Sequence, residues 1–278
     1  MAKHLEGTRS PTDFLRVKQF LRGVKRYCWG VLLTPQMNFK LYLRYKYKAG
    51  NPLGYPAAPW HNAVLRTNRE VQDVIRQVEK LGLPLNDDYP KNWDSLAALD
   101  CILKETDTSA HILDAGAELY SMILPWLFLY GFRHLIGINL VFKHPLKRGL
   151  IRYEYGDITR TGFEDRTFDA ITCLSVIEHG VNIRSFFEEA ARLLEPGGIL
   201  VTSTDYYCEP IETHDLKAYG VPIHVFTSDE ITAMLNIAHE CGLEPTGEIN
   251  LDCQDKPVTW QVFDLDFTFV VFTLRKVS

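Results

Sequence analysis

The chain has 278 residues, 46% hydrophobic and 23% charged, close to the balance of an average folded globular protein. That composition excludes a disordered chain, a collagen-like chain and a coiled coil, and the length suffices to bury a sizeable core. The net charge of −5 conceals an asymmetry: residues 1–50 carry eleven Lys and Arg against two Asp and Glu, so a basic arm precedes an acidic body.

No apolar run reaches the roughly 18 residues that a membrane span requires. The strongest candidate, Met122 to Tyr130, is too short and contains Pro125. The first twelve residues are polar and lack the apolar middle of a signal peptide. The six cysteines (Cys28, Cys101, Cys173, Cys208, Cys241 and Cys253) form no C-x-x-C pair and are too sparse for a disulfide framework. The expectation is reduced thiols in a cytoplasmic protein.

In chain order, Phe14, Val17, Leu21, Val24 and Cys28 fall at helical spacing among basic residues. A loop rich in Pro, Gly and Tyr follows from Lys48 to Trp60. A second helix carries Val71, Val74, Ile75 and Val78 on one face and ends at Leu81-Gly82-Leu83-Pro84. Residues 1–90 therefore read as a basic helical extension capping residues 91–278. From about 91 onwards, strand and helix alternate. Strands are expected at His111–Asp114, His134–Asn139, Arg152–Tyr155, Phe168–Leu174 and Gly198–Thr204. The clearest helix is Asn182 to Leu194, while Lys143–Leu150 is a weak helical segment. Such alternation implies parallel strands with right-handed crossovers. A helix over Ser228 to Cys241 and two antiparallel strands close the chain, the last over Asp266 to Leu274.

Chemistry concentrates at the strand ends. The first strand runs out into Asp114-Ala115-Gly116-Ala117-Glu118, the turn where ligands bind in a doubly wound sheet. The second ends in Gly137-Ile138-Asn139-Leu140, where nucleotide-binding folds place a polar residue against ribose. The third leads into Gly156-Asp157-Ile158. The fourth reads Phe168-Asp169-Ala170-Ile171 and continues to Ser175-Val176-Ile177-Glu178-His179. Leu194-Glu195-Pro196-Gly197-Gly198 precedes the fifth.

This ordered set, over roughly residues 93 to 274, resembles the class I S-adenosylmethionine-dependent methyltransferases. The resemblance implies an α/β Rossmann-like fold: a seven-stranded, mostly parallel sheet with an antiparallel last strand, and an N-terminal helical extension over the ligand edge. It implies S-adenosylmethionine as cofactor and S-adenosylhomocysteine as product. Asp114, Ala115, Gly116, Ala117 and Glu118 would contact the methionine part. Asn139, with Leu140 beside it, would face the ribose; Asp157 and Ile158 would flank the adenine; Ser175 and Val176 would sit beside the sulfonium. Two departures stand out. Glu118 and Tyr120 replace two glycines of the family's D-x-G-x-G-x-G, and Asn139 replaces the acid after the second strand, giving up charge assistance to the ribose.

Methyl transfer to a hydroxyl requires removal of its proton, and His is the usual base near neutral pH. His179 is the candidate base, with Glu178 orienting it; the competing reading is a histidine that caps the next helix. In related O-methyltransferases E-x-x-E-H and a later His hold a divalent metal. Here Glu178, His179 and His224 are left, the first Glu being absent, and no metal site is assigned. Asp205, Tyr206 and His224 are candidate substrate contacts. His214 and Asp215 lie in a long loop with the composition of a lid. The basic arm reads as a solvated cap, an anion-binding element, a membrane-surface helix, or, through interleaved Lys40, Tyr42, Arg44, Tyr45, Lys46 and Tyr47, an RNA-stacking face. The acidity of the whole chain argues against nucleic acid. The expected function is methyl transfer to an oxygen or nitrogen of a small polar acceptor, such as a sugar. The alternative is a methyltransferase-like module that has lost catalysis.

Overall fold

The computed structural model describes residues 34–213, 216–218 and 220–277. The amphipathic stretch 14–28, the acidic–basic contrast of residues 1–33, and His214 and Asp215 lie outside these residues.

Helix α1 (Pro35–Tyr47) starts at Thr34, whose hydroxyl caps the Met37 amide, and closes on Lys48 in a left-handed conformation. It buries Phe39 and Leu43, and the Phe39 ring lies 5.1 Å from that of Phe128. Strand β1 is the dipeptide Ala63–Val64. Helix α2 (Asn68–Lys80) is set by a capping box between Thr67 and Glu70 and buries Val71, Val74 and Val78, a one-sided stripe. Helix α3 (Lys91–Glu105) is buried from Asn92 to Ile102. Such a helix is core on all sides, so the polar residues in it need partners. The Asn92 amide donates to the Asn86 and Tyr89 carbonyls, and its oxygen accepts the Asn86 N–H.

Then come β2 (His111–Ala115), the apolar α4 (Ile123–Tyr130), β3 (His134–Asn139), β4 (Leu146–Arg148), β5 (Ile151–Tyr155) and β6 (Phe168–Leu174). Seven of the eight residues of α4 are buried; Pro125 sits in its first turn, where no intrahelical N–H is needed. Helix α5 (Ile183–Leu193), capped by the Asn182 side chain, leads into β7 (Leu194–Tyr206). A short hairpin, β8 (Lys217–Ala218) and β9 (Val221–Pro222), precedes α6 (Ser228–Glu240), β10 (Leu243–Pro245), β11 (Val258–Trp260) and β12 (Leu265–Lys276).

The main sheet runs β1-β12-β7-β6-β2-β3-β5-β4, with β10 and β11 also paired to β12. Strands β5, β3, β2, β6 and β7 are parallel, and β12 is antiparallel to β7, which agrees with the expected mostly parallel sheet and its reversed last strand. The sheet has ten strands rather than seven. The additions are β1, β4 and β11, each two or three residues long and each antiparallel to a longer neighbour. Elements this short leave no periodicity to read. The segment 143–150 holds β4 instead of a helix. Residues 34–90 are tied to the body: β1 pairs with Val270 and Val271, and the Thr268 hydroxyl donates to the Leu65 carbonyl.

Candidate active site

The parallel strands end on one edge of the sheet, where a cavity of about 860 Å³ opens. Small-molecule sites run from about 300 to 1,000 Å³, so this one has room for a cofactor and an acceptor together.

The turn after β2 forms one wall. Asp114 is 3% exposed and accepts the Thr172 hydroxyl at 2.7 Å; burial pushes its carboxyl up to about 7. Gly116 has φ +90°, and a Cβ there would lie 2.4 Å from Val176 Cγ2. The turn therefore requires glycine twice over, for its conformation and for its close approach to Val176. The Gly116 and Ala117 amides both donate to the Ile138 carbonyl at 2.9 Å. The Asn139 amide donates in turn to the carbonyls of Gly116 (3.2 Å) and Ala117 (3.1 Å), while its oxygen accepts the Val141 amide at 3.2 Å. Asn139 is thus spent on bracing the turn; only a lone pair of its oxygen is left to face a ribose.

The other expected cofactor contacts fall on the same rim. Gly116, Glu118, Asn139 and Leu140 line the cavity, as do Asp157 and Ile158 after β5, and Ser175 and Val176 after β6. One Asp157 oxygen accepts the amide and hydroxyl of Thr159 (2.9 and 2.7 Å). Ser175 has φ +53°, uncommon for a non-glycine residue, and its amide donates to the Ser203 carbonyl and hydroxyl. Glu118 and Tyr120, in place of the two glycines, face the cavity. Burial raises the Glu118 carboxyl. Ala115 and Ala117 are buried behind the wall, in the core on either side of the sheet, and offer only backbone.

The inner wall is acidic. Asp94 on α3 is 1% exposed and accepts the hydroxyls of Ser203 (2.6 Å), Ser95 (3.2 Å) and Ser175 (3.4 Å). Glu178 is 1% exposed and accepts the Thr204 hydroxyl at 3.0 Å. Asp205 is 4% exposed, and its carboxylate accepts no hydrogen bond among the described residues. Burial raises all three, Glu178 to about 7 and Asp205 well above the usual carboxylate range. Among the described residues, Lys91 is the cation that faces them. Burial pulls Lys91 down, but the charges of Asp94, Asp205, Glu178 and Asp88 outweigh it and raise its pKa. Its Nζ lies 5.3 Å from the centre of the Phe269 ring.

His179 lines the same cavity, its ring edge-on to Trp260 at 6.4 Å. Burial, and secondarily the Lys91 charge, lower it to about 4, so it is neutral at pH 7. The Glu178 carboxylate is engaged by Thr204 and the field of Lys91, not by the role of orienting His179 that the sequence suggested.

Two expected substrate contacts sit elsewhere. Tyr206 is 0% exposed on the opposite face of β7 from Asp205, and its hydroxyl reaches Ser228 Oγ and the Leu251 carbonyl, both at 2.7 Å. Successive strand residues alternate faces, so Asp205 and Tyr206 cannot both enter the cavity. His224 holds Glu230 at 2.9 Å on the surface; only its backbone amide approaches the site, donating to the Glu178 carbonyl at 3.1 Å. No group of three or more His, Cys, Asp or Glu among the described residues is placed to hold a metal ion. None of residues 34–85 lines the cavity; the N-terminal contribution over the ligand edge begins at Asn86. Lys91, Asp94 and Trp260 were missed. A signal did exist for the first two: Lys91, Asp94 and Ser95 share one face in the first turn of the helix.

The sheet order and the strand-edge cavity define the Rossmann-like fold of class I S-adenosylmethionine-dependent methyltransferases. Residues 121–202 match a family model described as a methyltransferase domain. Among solved structures, a 1,6-didemethyltoxoflavin-N1-methyltransferase from Burkholderia thailandensis is similar with a TM-score of 0.50 and 19% identity, over 82% of this chain and 94% of that one. Geranyl diphosphate C-methyltransferase from Streptomyces coelicolor gives 0.50 at 16% identity, over 88% and 100%. Both were solved with S-adenosylhomocysteine. Sterol 24-C-methyltransferase from Candida albicans is 30% identical over 77 residues, 26% of this chain and 20% of the relative. Sterol 24-C-methyltransferase ERG6B from Gibberella zeae is 26% identical over 96 residues, 34% of this chain. The chain spans a quarter or less of the length of these two sterol relatives.

Proposed function

We propose that this chain is an S-adenosylmethionine-dependent methyltransferase acting on an oxygen or nitrogen nucleophile of a small polar acceptor. The observation that carries the reading is one continuous cavity joining the Gly116 turn to a wall of buried carboxylates, with His179 between. The residues present fit the cofactor. The Gly116 turn leaves a close backbone approach, Asp157 keeps one carboxylate oxygen for an amino group, and Ser175 and Val176 stand between this rim and the acidic wall. Asp114 to Glu118 would hold the methionine part, Asn139 and Leu140 the ribose side, and Asp157 and Ile158 the adenine.

When bound, the cofactor supplies an electrophilic methyl group on a sulfonium. The rest is done by the chain: aligning the acceptor and taking up a proton. His179, neutral at pH 7, lines the cavity and is the candidate to take up that proton. A carbon acceptor is the second reading; it rests on relatives named as C-methyltransferases, and product analysis by NMR separates carbon from heteroatom methylation.

Calorimetric titration with S-adenosylmethionine, S-adenosylhomocysteine and, as control, NAD tests the proposal. Micromolar binding of a methyl-cycle ligand, about −8 kcal/mol, is expected. Absence of binding at millimolar ligand would overturn it in favour of a module that has lost catalysis.

A further inference from the structure

The cavity's inner wall is built at odds with a neutral acceptor. Three carboxylates, Asp94, Glu178 and Asp205, are each at least 96% buried, and among the described residues the ammonium that faces them is that of Lys91. Asp94 and Glu178 are satisfied by hydroxyls from Ser203 and Thr204, which fixes them in place. Asp205 differs. It lines the cavity, it is 4% exposed, and no described residue donates a hydrogen bond to its carboxyl, whose oxygens are open to the cavity rather than sealed in the core. A carboxyl that opens to the cavity and has no donor from the protein is available to a donor that enters with the acceptor. Lys91 acts on Asp205 through its charge but makes no ion pair with it, and its Nζ sits over Phe269, the residue opposite Asp205 on β12.

We propose that Asp205 is the anchor for a protonated amine of the acceptor, so that the substrate class of this site is a small aliphatic amine. The proposal rests on the methyltransferase reading above and narrows it from oxygen or nitrogen to nitrogen. The ammonium's charge offsets the burial that otherwise favours a neutral Asp205, so it donates to an ionised carboxylate, and Trp260 and Phe269, which line the same cavity, offer apolar surface to its carbon skeleton. Before nitrogen can act as nucleophile it must lose one proton. For an amine acceptor that proton passes from the ammonium to the Asp205 carboxylate, a role that His179 would fill only for a hydroxyl acceptor, giving a neutral amine with a free lone pair and a neutral carboxylic acid. Charge is conserved in the exchange, and no other reactant is needed. Burial, which favours the neutral acid, assists the transfer.

The test uses the full chain saturated with S-adenosylhomocysteine and follows thermal unfolding and calorimetric binding with matched pairs of probes: ethanolamine against ethylene glycol, glucosamine against glucose, benzylamine against benzyl alcohol. At least one amine should raise Tm and bind at least tenfold more tightly than its neutral counterpart. Asp205→Asn should fold, unfold at a higher temperature than wild type, keep S-adenosylhomocysteine affinity, and lose that preference. Saturation by S-adenosylhomocysteine with no amine preferred by tenfold, or an equal preference in Asp205→Asn, would overturn the amine assignment while leaving the methyltransferase reading intact. Failure of S-adenosylhomocysteine itself to bind would overturn that reading instead. Should Asp205→Asn not fold, the paired probes on wild type still decide.

Discussion

The Asn139 side chain donates both amide hydrogens to the turn that follows β2, one to the Gly116 carbonyl and one to the Ala117 carbonyl. A carboxylate cannot do this, because it would set its oxygens against two other oxygens. The departure at position 139 therefore matches the departure one strand earlier in the motif: a turn that carries Glu118 and Tyr120 instead of glycines is held by an amide from the neighbouring strand. Asn139→Asp should lower stability by about 1–3 kcal/mol, measured by urea denaturation, because two carbonyls lose their donors. It should also weaken S-adenosylhomocysteine binding in calorimetry. An aspartate variant of unchanged stability would mean that the clamp is incidental.

Gly116 is the second point of control. Gly116→Ala must hold a side chain at φ +90° and push Val176 away from 2.4 Å. A loss of more than about 1 kcal/mol is expected, with cofactor affinity reduced at least tenfold. Adding Val176→Ala should recover part of the steric cost but none of the conformational cost. Full recovery in the double variant would show that the backbone conformation is unimportant.

Stability should depend on pH in a direction set by the buried acids. Asp114 moves from an ordinary 3.8 up to about 7 on folding, so between these values the folded state binds the proton more tightly. Its contribution is fully present below about pH 4 and is lost as pH rises to 7. His179 has the opposite sign: lowered from 6.5 to about 4, it contributes above pH 6.5 and is lost as pH falls towards 4. Tm measured from pH 4 to 8 should therefore become less dependent on pH above 5 in Asp114→Asn, and should fall less on acidification in His179→Ala. Identical profiles for wild type and Asp114→Asn would contradict the burial argument.

Tyr206→Phe separates structure from chemistry. Its hydroxyl bridges Ser228 and the Leu251 carbonyl in the core away from the cavity. Loss of about 1 kcal/mol of stability is expected, with ligand binding and any methyl transfer unchanged. A selective rise in KM would place Tyr206 at the acceptor after all.

Position in sequence set the strand ends and the motif order. The runs His134–Asn139 and Phe168–Leu174, the Asn182-capped helix and the turn at Gly116 could be read because periodicity and turn chemistry act over a few neighbouring residues. The rim made by Gly116, Asp157, Ser175 and Val176 follows from that order, since parallel strands deliver their ends to one edge. Short strands such as β1 and β11 were not legible, because they exist only where β12 supplies a partner.

What the tertiary structure alone decided is which side chains share the cavity. Asp94 and Ser203 are 109 residues apart in sequence and 2.6 Å apart in space. Asp205 faces the cavity and Tyr206 the core because of a two-residue alternation whose phase only the packed sheet fixes. The side-chain amide of Asn139 reads in sequence as a ribose contact, and in the fold it is a brace. Local patterns choose elements, but long-range packing chooses partners, and partners determine what a side chain has left to offer a ligand.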